Sequence, residues 1–302
     1  MRKLIAASLV LAALGTLGWA RATLADELQF AGRDLVVAPP PGFCALDPMR
    51  PQEGQMLEQQ QKLQQQGSKL ALMFLACADL EQLRSGGSIN PQRYGTVIVL
   101  AQQGQVRAIG EMTRAQFIAA VAKPYPQVGL DLPRRLDEIA RSDVNAFDAK
   151  VLGVLKQDDN AVYLGVAIRG LRFDGAAVPA GIVGVTAVTL INQLPVSMTL
   201  YQAKGNAEGM MALLSDQQRN VDALVAVNAP APTPVPSPVP SGGGAAPASA
   251  PGPAAPPIDV NSPAIQVALI AGLAAVVAVA GALMLRRRRR PDGAPREPIP
   301  PT

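Results

Sequence analysis

The chain has 302 residues, with 27 Lys+Arg, 23 Asp+Glu and no histidine. The missing histidine excludes Ser–His–Asp and Cys–His catalysis, imidazole proton shuttling and nearly every zinc or haem site. The pI near 9.3 comes from the ends, because Asp26 to Asn228 holds 18 basic against 20 acidic residues, a net −2. The positive excess lies in Arg2, Lys3 and Arg21 at the front and Arg286 to Arg290 plus Arg296 at the back. Such a distribution records topology and offers no phosphate-binding face, so nucleic acid is not an expected partner.

Met1-Arg2-Lys3 is a positive n-region and Leu4 to Ala20 an apolar run. Small residues then offer cleavage after Ala22 or after Ala25, which makes residues 1–25 a signal peptide; an uncleaved anchor is the alternative. No twin arginine precedes the run, which favours the general secretory route. At the other end, Ala264 to Leu285 is apolar over 22 residues with Gln266 as its one strongly polar member. A helix of that length spans roughly 33 Å, enough for a hydrocarbon core of about 30 Å. Arg286, Arg287, Arg288, Arg289 and Arg290 follow at once and act as the stop-transfer block that stays in the cytoplasm. The expected layout is a periplasmic domain over 26–227, a stalk over 228–263, a transmembrane helix over 264–285 and a cytoplasmic tail over 286–302. The expected location is therefore a bacterial inner membrane, with the lipid bilayer engaged through Ala264–Leu285. The absence of glycosylation sequons among the mature asparagines and the Ala, Gly, Pro and Arg usage fit a GC-rich bacterium.

Cys44 and Cys77 are the only cysteines, and in an oxidising compartment an even pair most simply forms one disulfide. A redox pair would call for Cys-x-x-Cys spacing or an activating environment, and neither is visible.

Within the exported part, Asp34 to Ala38 reads as a short strand stopped by Pro39-Pro40-Pro41-Gly42. Pro51 to Gln66, rich in Gln with Met56, Leu57 and Leu63, predicts a surface helix with a thin apolar face. Lys69 to Ala76 and Gly95 to Ala101 read as strands. Thr113-Arg114-Ala115-Gln116 has capping-box spacing and opens a helix bearing Phe117, Ile118 and Val121, ended by Pro124 and Pro126. Asp131 to Arg141 reads as another helix, with Leu132, Leu136 and Ile139 on one face. Lys150 to Lys156 and Ala161 to Arg169 form strands joined by the turn Gln157-Asp158-Asp159-Asn160. Val183 to Ile191 and Leu194 to Ala203 meet at Asn192-Gln193, with alternation in Val196, Met198, Leu200 and Gln202. Ala207 to Asn228 is a long amphipathic helix in which Met210, Leu214, Val221 and Val225 recur at helical spacing, its methionines acting as core filler.

This order gives an α+β class: a mostly antiparallel sheet of six or seven strands flanked by helices. The entry Val36-Val37-Ala38-Pro39-Pro40-Pro41-Gly42-Phe43, the strand end Phe74-Leu75-Ala76-Cys77, and the hairpin Thr186 to Tyr201 with its following helix resemble the PsbP-like α/β/α sandwich domains. The resemblance spans about Leu35 to Val227, carries no functional residue across, and implies a binding or assembly role more often than catalysis.

The stretch from Asn228 to Pro263 holds 12 prolines and cannot build a core. It tends toward extended polyproline II, with a reach of ~100 Å at about 3.1 Å per residue. Phosphate loops, dinucleotide fingerprints and calcium-loop spacing are missing, so no cofactor is expected. Asp137-Glu138 sit adjacent on a helix and diverge by about 100°, which precludes a converging acid/base pair. A Ser–Lys dyad stays open, with Ser68, Ser85, Ser88, Ser142, Ser197 and Ser215 available. The leading expectation is a non-catalytic, membrane-tethered periplasmic domain that binds an envelope protein or cell-wall component. The alternatives are a hydrolase using Ser/Lys or carboxylates, and a single-pass envelope sensor.

Overall fold

The structure is a computed structural model that describes residues 25–64, 67–87, 89, 91–102, 104–141, 148–169, 181–203 and 205–230. The segments expected to be a signal peptide and a transmembrane helix (264–285), the block Arg286–Arg290 and nearly all of the expected stalk lie outside the described residues. Among the described residues no helix is long and apolar enough to cross a membrane.

Among the described residues nine strands and five α-helices follow in the order β1 (Asp26–Phe30), β2 (Arg33–Val37), β3 (Phe43–Ala45), α1 (Pro51–Leu63), β4 (Lys69–Ala76), α2 (Cys77–Arg84), β5 (Arg93–Val99), α3 (Arg114–Ala122), α4 (Leu132–Arg141), β6 (Asp148–Gln157), β7 (Val162–Arg169), β8 (Ile182–Ile191), β9 (Leu194–Ala203) and α5 (Ala207–Val227). Seven strands form one sheet in the order β3-β4-β5-β9-β8-β7-β6, every pairing antiparallel. The α+β expectation thus holds, with seven strands in the large sheet. The early strand around Asp34–Val37 does not enter that sheet. It pairs with β1 across Ala31-Gly32, both at positive φ, to make a separate hairpin. The three prolines that follow offer no N–H donors and end it, so the short β3 takes the sheet edge instead.

Strand alternation sorts the core into two faces. Val196, Met198 and Leu200 of β9 and Val183, Val185 and Ala187 of β8 pack with Met210, Leu213, Leu214, Val221 and Leu224 of α5. Leu132 of α4 joins this cluster, and Leu136 and Ile139 pack against it. On the opposite face, Met73, Leu75, Tyr94 and Tyr201 lie with Met56 of α1 and Leu80 and Leu83 of α2. Ile98, Leu164 and Val188 lie there with Phe117, Ile118 and Val121 of α3. Helices therefore cover both faces of the sheet.

Several local expectations are met in atomic detail. The Thr113 hydroxyl accepts from the Gln116 N–H and the Gln116 side chain accepts from the Thr113 N–H, closing the capping box. Asn192 and Gln193 take φ of 48° and 65°, the left-handed pair that a two-residue hairpin requires. Cys44 and Cys77 are joined, their Cα atoms 4.9 Å apart, tying β3 to the first residue of α2. The helix α2 itself was unexpected, because the chain turns helical directly at the strand end. The predicted helix over Pro51–Gln66 stops at Leu63.

Its inward face is unusual. Glu53, Met56, Gln60 and Gln64 are buried at i, i+3, i+7 and i+11, so the stripe facing the core is mostly polar. Glu53 is held by Arg84 of α2 through two bonds of 2.8 and 2.9 Å and accepts the Asp47 N–H at 2.8 Å.

Candidate functional site

The serines and carboxylates open to a catalytic reading are engaged in local structure. The Ser68 hydroxyl accepts the Ala101 N–H at 3.0 Å, Ser85 donates to the Gln82 carbonyl, and Ser215 donates to the Met211 carbonyl. Ser197 is buried in the sheet, and Ser88 and Ser142 lie outside the described residues. Asp137 and Glu138 diverge into separate ion pairs with Arg141 and Arg134. Asp158 caps its own turn, accepting the N–H groups of Asn160 and Ala161 at 3.0 and 2.9 Å, as a hairpin turn requires.

What the sequence reading missed is a groove of about 490 Å³ where the proline loop meets the last turns of α5. One wall is Ala38 to Pro41. Proline fixes φ and removes donors, so this wall is stiff and presents ring faces. Gly42, at φ 82°, closes the turn, and the Phe43 N–H donates to the Pro40 carbonyl at 3.0 Å. The opposite wall is a single helical stripe of α5: Asp216, Arg219, Asn220, Ala223, Leu224 and Val227. That spacing is the i, i+3, i+4, i+7 pattern of one helix face. The floor is Val97 of β5 and Met198 of β9, directly opposite each other in the sheet register.

A polar lip closes one end. Arg93, the first residue of β5, and Arg219 both pair with the Asp216 carboxylate. Two cations against one anion leave the lip with one positive charge in excess. The Arg93 guanidinium also lies 5.6 Å from the centre of the Phe43 ring, a favourable placement over an aromatic face. Phe43 in turn meets Phe74 edge-on at 5.2 Å, an arrangement aromatic pairs prefer. The Arg93 Nε is buried and has no partner.

Two amides fix the walls. Gln217, fully buried, donates to the Met198 carbonyl at 2.6 Å and holds α5 on the floor strand. Asn228, at the end of α5, accepts the Val36 N–H and donates to the Val36 carbonyl, both at 2.8 Å, and also donates to the Leu224 carbonyl. Its side chain imitates a paired strand residue and clamps the helix end to β2, just before the proline wall. Val227, half exposed, lines the groove at the last residue of α5.

The sequence signal for this site was present but divided. The proline run read as a strand stop, and the α5 stripe read as core. Only the fold brings 38–43 and 216–227 together. Among the described residues no group of three or more acidic or cysteine side chains could hold a metal ion. No protein-family model matches the chain and no match to a curated protein is found, so the case for the groove rests on its own geometry.

Proposed function

We propose that the chain is a membrane-tethered periplasmic binding domain, and that the groove between Pro39–Pro41 and α5 takes an extended apolar segment of an envelope protein carrying an acidic group. The observation that carries this reading is the combination of an apolar floor and walls with a lip bearing one uncompensated positive charge. Apolar clefts with a few placed polar groups are the common form of binding sites, and the charge orients what enters. A volume of about 490 Å³ suits a few side chains rather than a folded surface. The resemblance to PsbP-like domains supports a binding or assembly role. The signal peptide, the stop-transfer arginines and the apolar segment 264–285 support an inner-membrane tether with the domain outside the cytoplasm. The Cys44–Cys77 bond fits an oxidising compartment.

In-cell photocrosslinking of the full-length protein tests this. A photoreactive residue at Ala223, exposed on the groove wall, should capture a discrete partner. The same residue at Ala119, exposed on α3 across the sheet from the groove, should not. Arg219→Glu should abolish the Ala223 adduct while leaving protein levels unchanged. Equal capture from both positions, or indifference to Arg219→Glu, would remove the groove from the reading.

A further inference from the structure

The lip of the groove already holds a carboxylate, and that carboxylate belongs to the chain itself. Asp216 Oδ2 pairs with Arg93 Nη2 and Asp216 Oδ1 with Arg219 Nη2, one guanidinium to each oxygen. All three residues line the groove. Arg219 stands three residues along α5 from Asp216, whereas Arg93 comes from β5, 123 positions away. Arg93 does not depend on Asp216 for its place. Its backbone lies opposite Gln202 in the sheet register, and its guanidinium rests against the Phe43 ring at 5.6 Å.

The two pairs use one nitrogen of each guanidinium. An arginine carries five N–H donors in a planar fork matched to a carboxylate, so each can also receive the oxygens of an incoming acid. The lip is only partly covered: the Asp216 side chain is 28 % exposed, Arg93 37 % and Arg219 71 %. Ion pairs this open hold weakly, and Asp216 can turn to water without stranding a charge. The α5 stripe is also polarised. Asp216, Arg219 and Asn220 stand at one end of it, and Ala223, Leu224 and Val227 fill the rest. From Asp216 to Val227 the helix rises roughly 16 Å at about 1.5 Å per residue, the length of about five residues of extended chain.

We propose that Asp216 is a built-in competitor for the anchor of the groove: its carboxylate occupies the position on Arg93 and Arg219 that the carboxylate of a bound segment takes, and binding exchanges one for the other. This inference rests on the reading of the groove as a binding site and names what selects its ligand. A competitor carried on the same chain acts at an effective concentration of about millimolar or above, so a small acid free in solution does not displace it. A segment that also buries apolar side chains on Val97, Met198, Leu224 and Val227 gains the further free energy needed for the exchange. The excess positive charge draws an acid to the lip, and Asp216 makes its retention conditional on the apolar contact.

Photocrosslinking from Ala223 in the full-length protein, at low expression and under brief illumination, reads the exchange as adduct yield. Asp216→Asn keeps the shape and removes the competing charge, and should raise the yield by about three- to tenfold, the effect of one charge at a part-exposed site. Asp216→Ser, a second neutral variant, should raise it as well; both lose only part-exposed pairs, so the fold is retained. Arg93→Gln in the Asp216→Asn background should cancel the gain. Asp222→Asn removes the same charge from α5 about 240° around the helix from Asp216, and should leave the yield unchanged. A yield that fails to rise in either Asp216 variant makes Asp216 a strut for the two arginines and overturns the inference, as does a gain that survives Arg93→Gln or appears equally in Asp222→Asn. In those cases the groove itself stands as long as Arg219→Glu still abolishes the adduct. An adduct indifferent to Arg219→Glu, or none at Ala223, overturns both.

Discussion

Replacing Arg84 by alanine should cost more than replacing its partner Glu53, although each change breaks the same pair. The Glu53 side chain is 2 % exposed and Arg84 31 % exposed. When Glu53 is removed, the arginine swings to solvent and the loss is about 2 kcal/mol, the worth of charge-assisted hydrogen bonds. When Arg84 is removed, a carboxylate stays buried with only the Asp47 N–H and Arg50, 3.7 Å away and half exposed, to offset it. Stranding a buried charge costs about 3–5 kcal/mol, and Arg50 brings the estimate to about 3. Removing both leaves nothing stranded, so the double variant should lie near the Glu53→Ala value and above Arg84→Ala in stability. Urea unfolding followed by far-ultraviolet circular dichroism reads this. With a slope of about 2 kcal/mol per molar, Arg84→Ala should shift the midpoint down by about 1.5 M. The pH dependence has a defined sign. Burial pushes the Glu53 carboxyl up, but the hydrogen bonds from Arg84 and the Asp47 N–H and the charges of Arg84 and Arg50 outweigh it, leaving it below its usual value. The pair therefore contributes fully above the unfolded carboxylate value and is lost as pH falls through the lower, folded value. The penalty of Arg84→Ala should shrink over the same fall, because the orphaned carboxyl neutralises. Simple additivity of the two single changes, or a larger cost for Glu53→Ala, would refute this reasoning.

Opening the Cys44–Cys77 bond by Cys44→Ser should cost about 3–4 kcal/mol for a separation of 33 residues, read as a fall in melting temperature without change of localisation. Asn228→Ala should cost about 1–2 kcal/mol and raise amide exchange at Val36 and in the last turn of α5, since it removes three side-chain hydrogen bonds; unchanged exchange at Val36 would contradict the clamp. Gln193→Gly should raise stability by about 0.5 kcal/mol, because glycine relieves a left-handed residue at φ 65°, less what is lost with the exposed bond from Arg33; a lower melting temperature would contradict it.

The elements that could be read from the sequence are those whose patterns are self-contained. β9 runs over Leu194–Ala203, as its alternation and the Asn192-Gln193 turn predict. The α3 capping box and the α5 stripe are likewise local. The pairing of two lone cysteines needed only counting. Missed elements lacked such patterns: β3 is three residues long, and α2 begins at the strand end with no side-chain cap. β1 is largely exposed, so it carries no core periodicity. The groove was illegible for a different reason. Its walls are about 180 positions apart in sequence, and the proline run has the same local meaning, a strand stop, whether or not a helix packs beside it. The buried Gln60 was hidden too, because a glutamine-rich helix with a thin apolar face reads as solvated.

The strand order β3-β4-β5-β9-β8-β7-β6 has a kinetic consequence. It consists of two meanders, β3 to β5 and β6 to β9, each built from neighbours in sequence and joined by a single long-range pairing of Arg93–Val99 with Val196–Gln202. Local hairpins form within microseconds, whereas closing a loop of about 100 residues carries the dominant entropic cost. Each meander can therefore assemble early, and the β5–β9 seam closes last. Val97 and Met198, the floor of the groove, face each other across that seam, and so do Thr96 and Thr199 on its reverse side. A chain stalled before this step would hold two half-sheets with exposed edges and a groove without its floor, so the groove and the completed sheet arrive together.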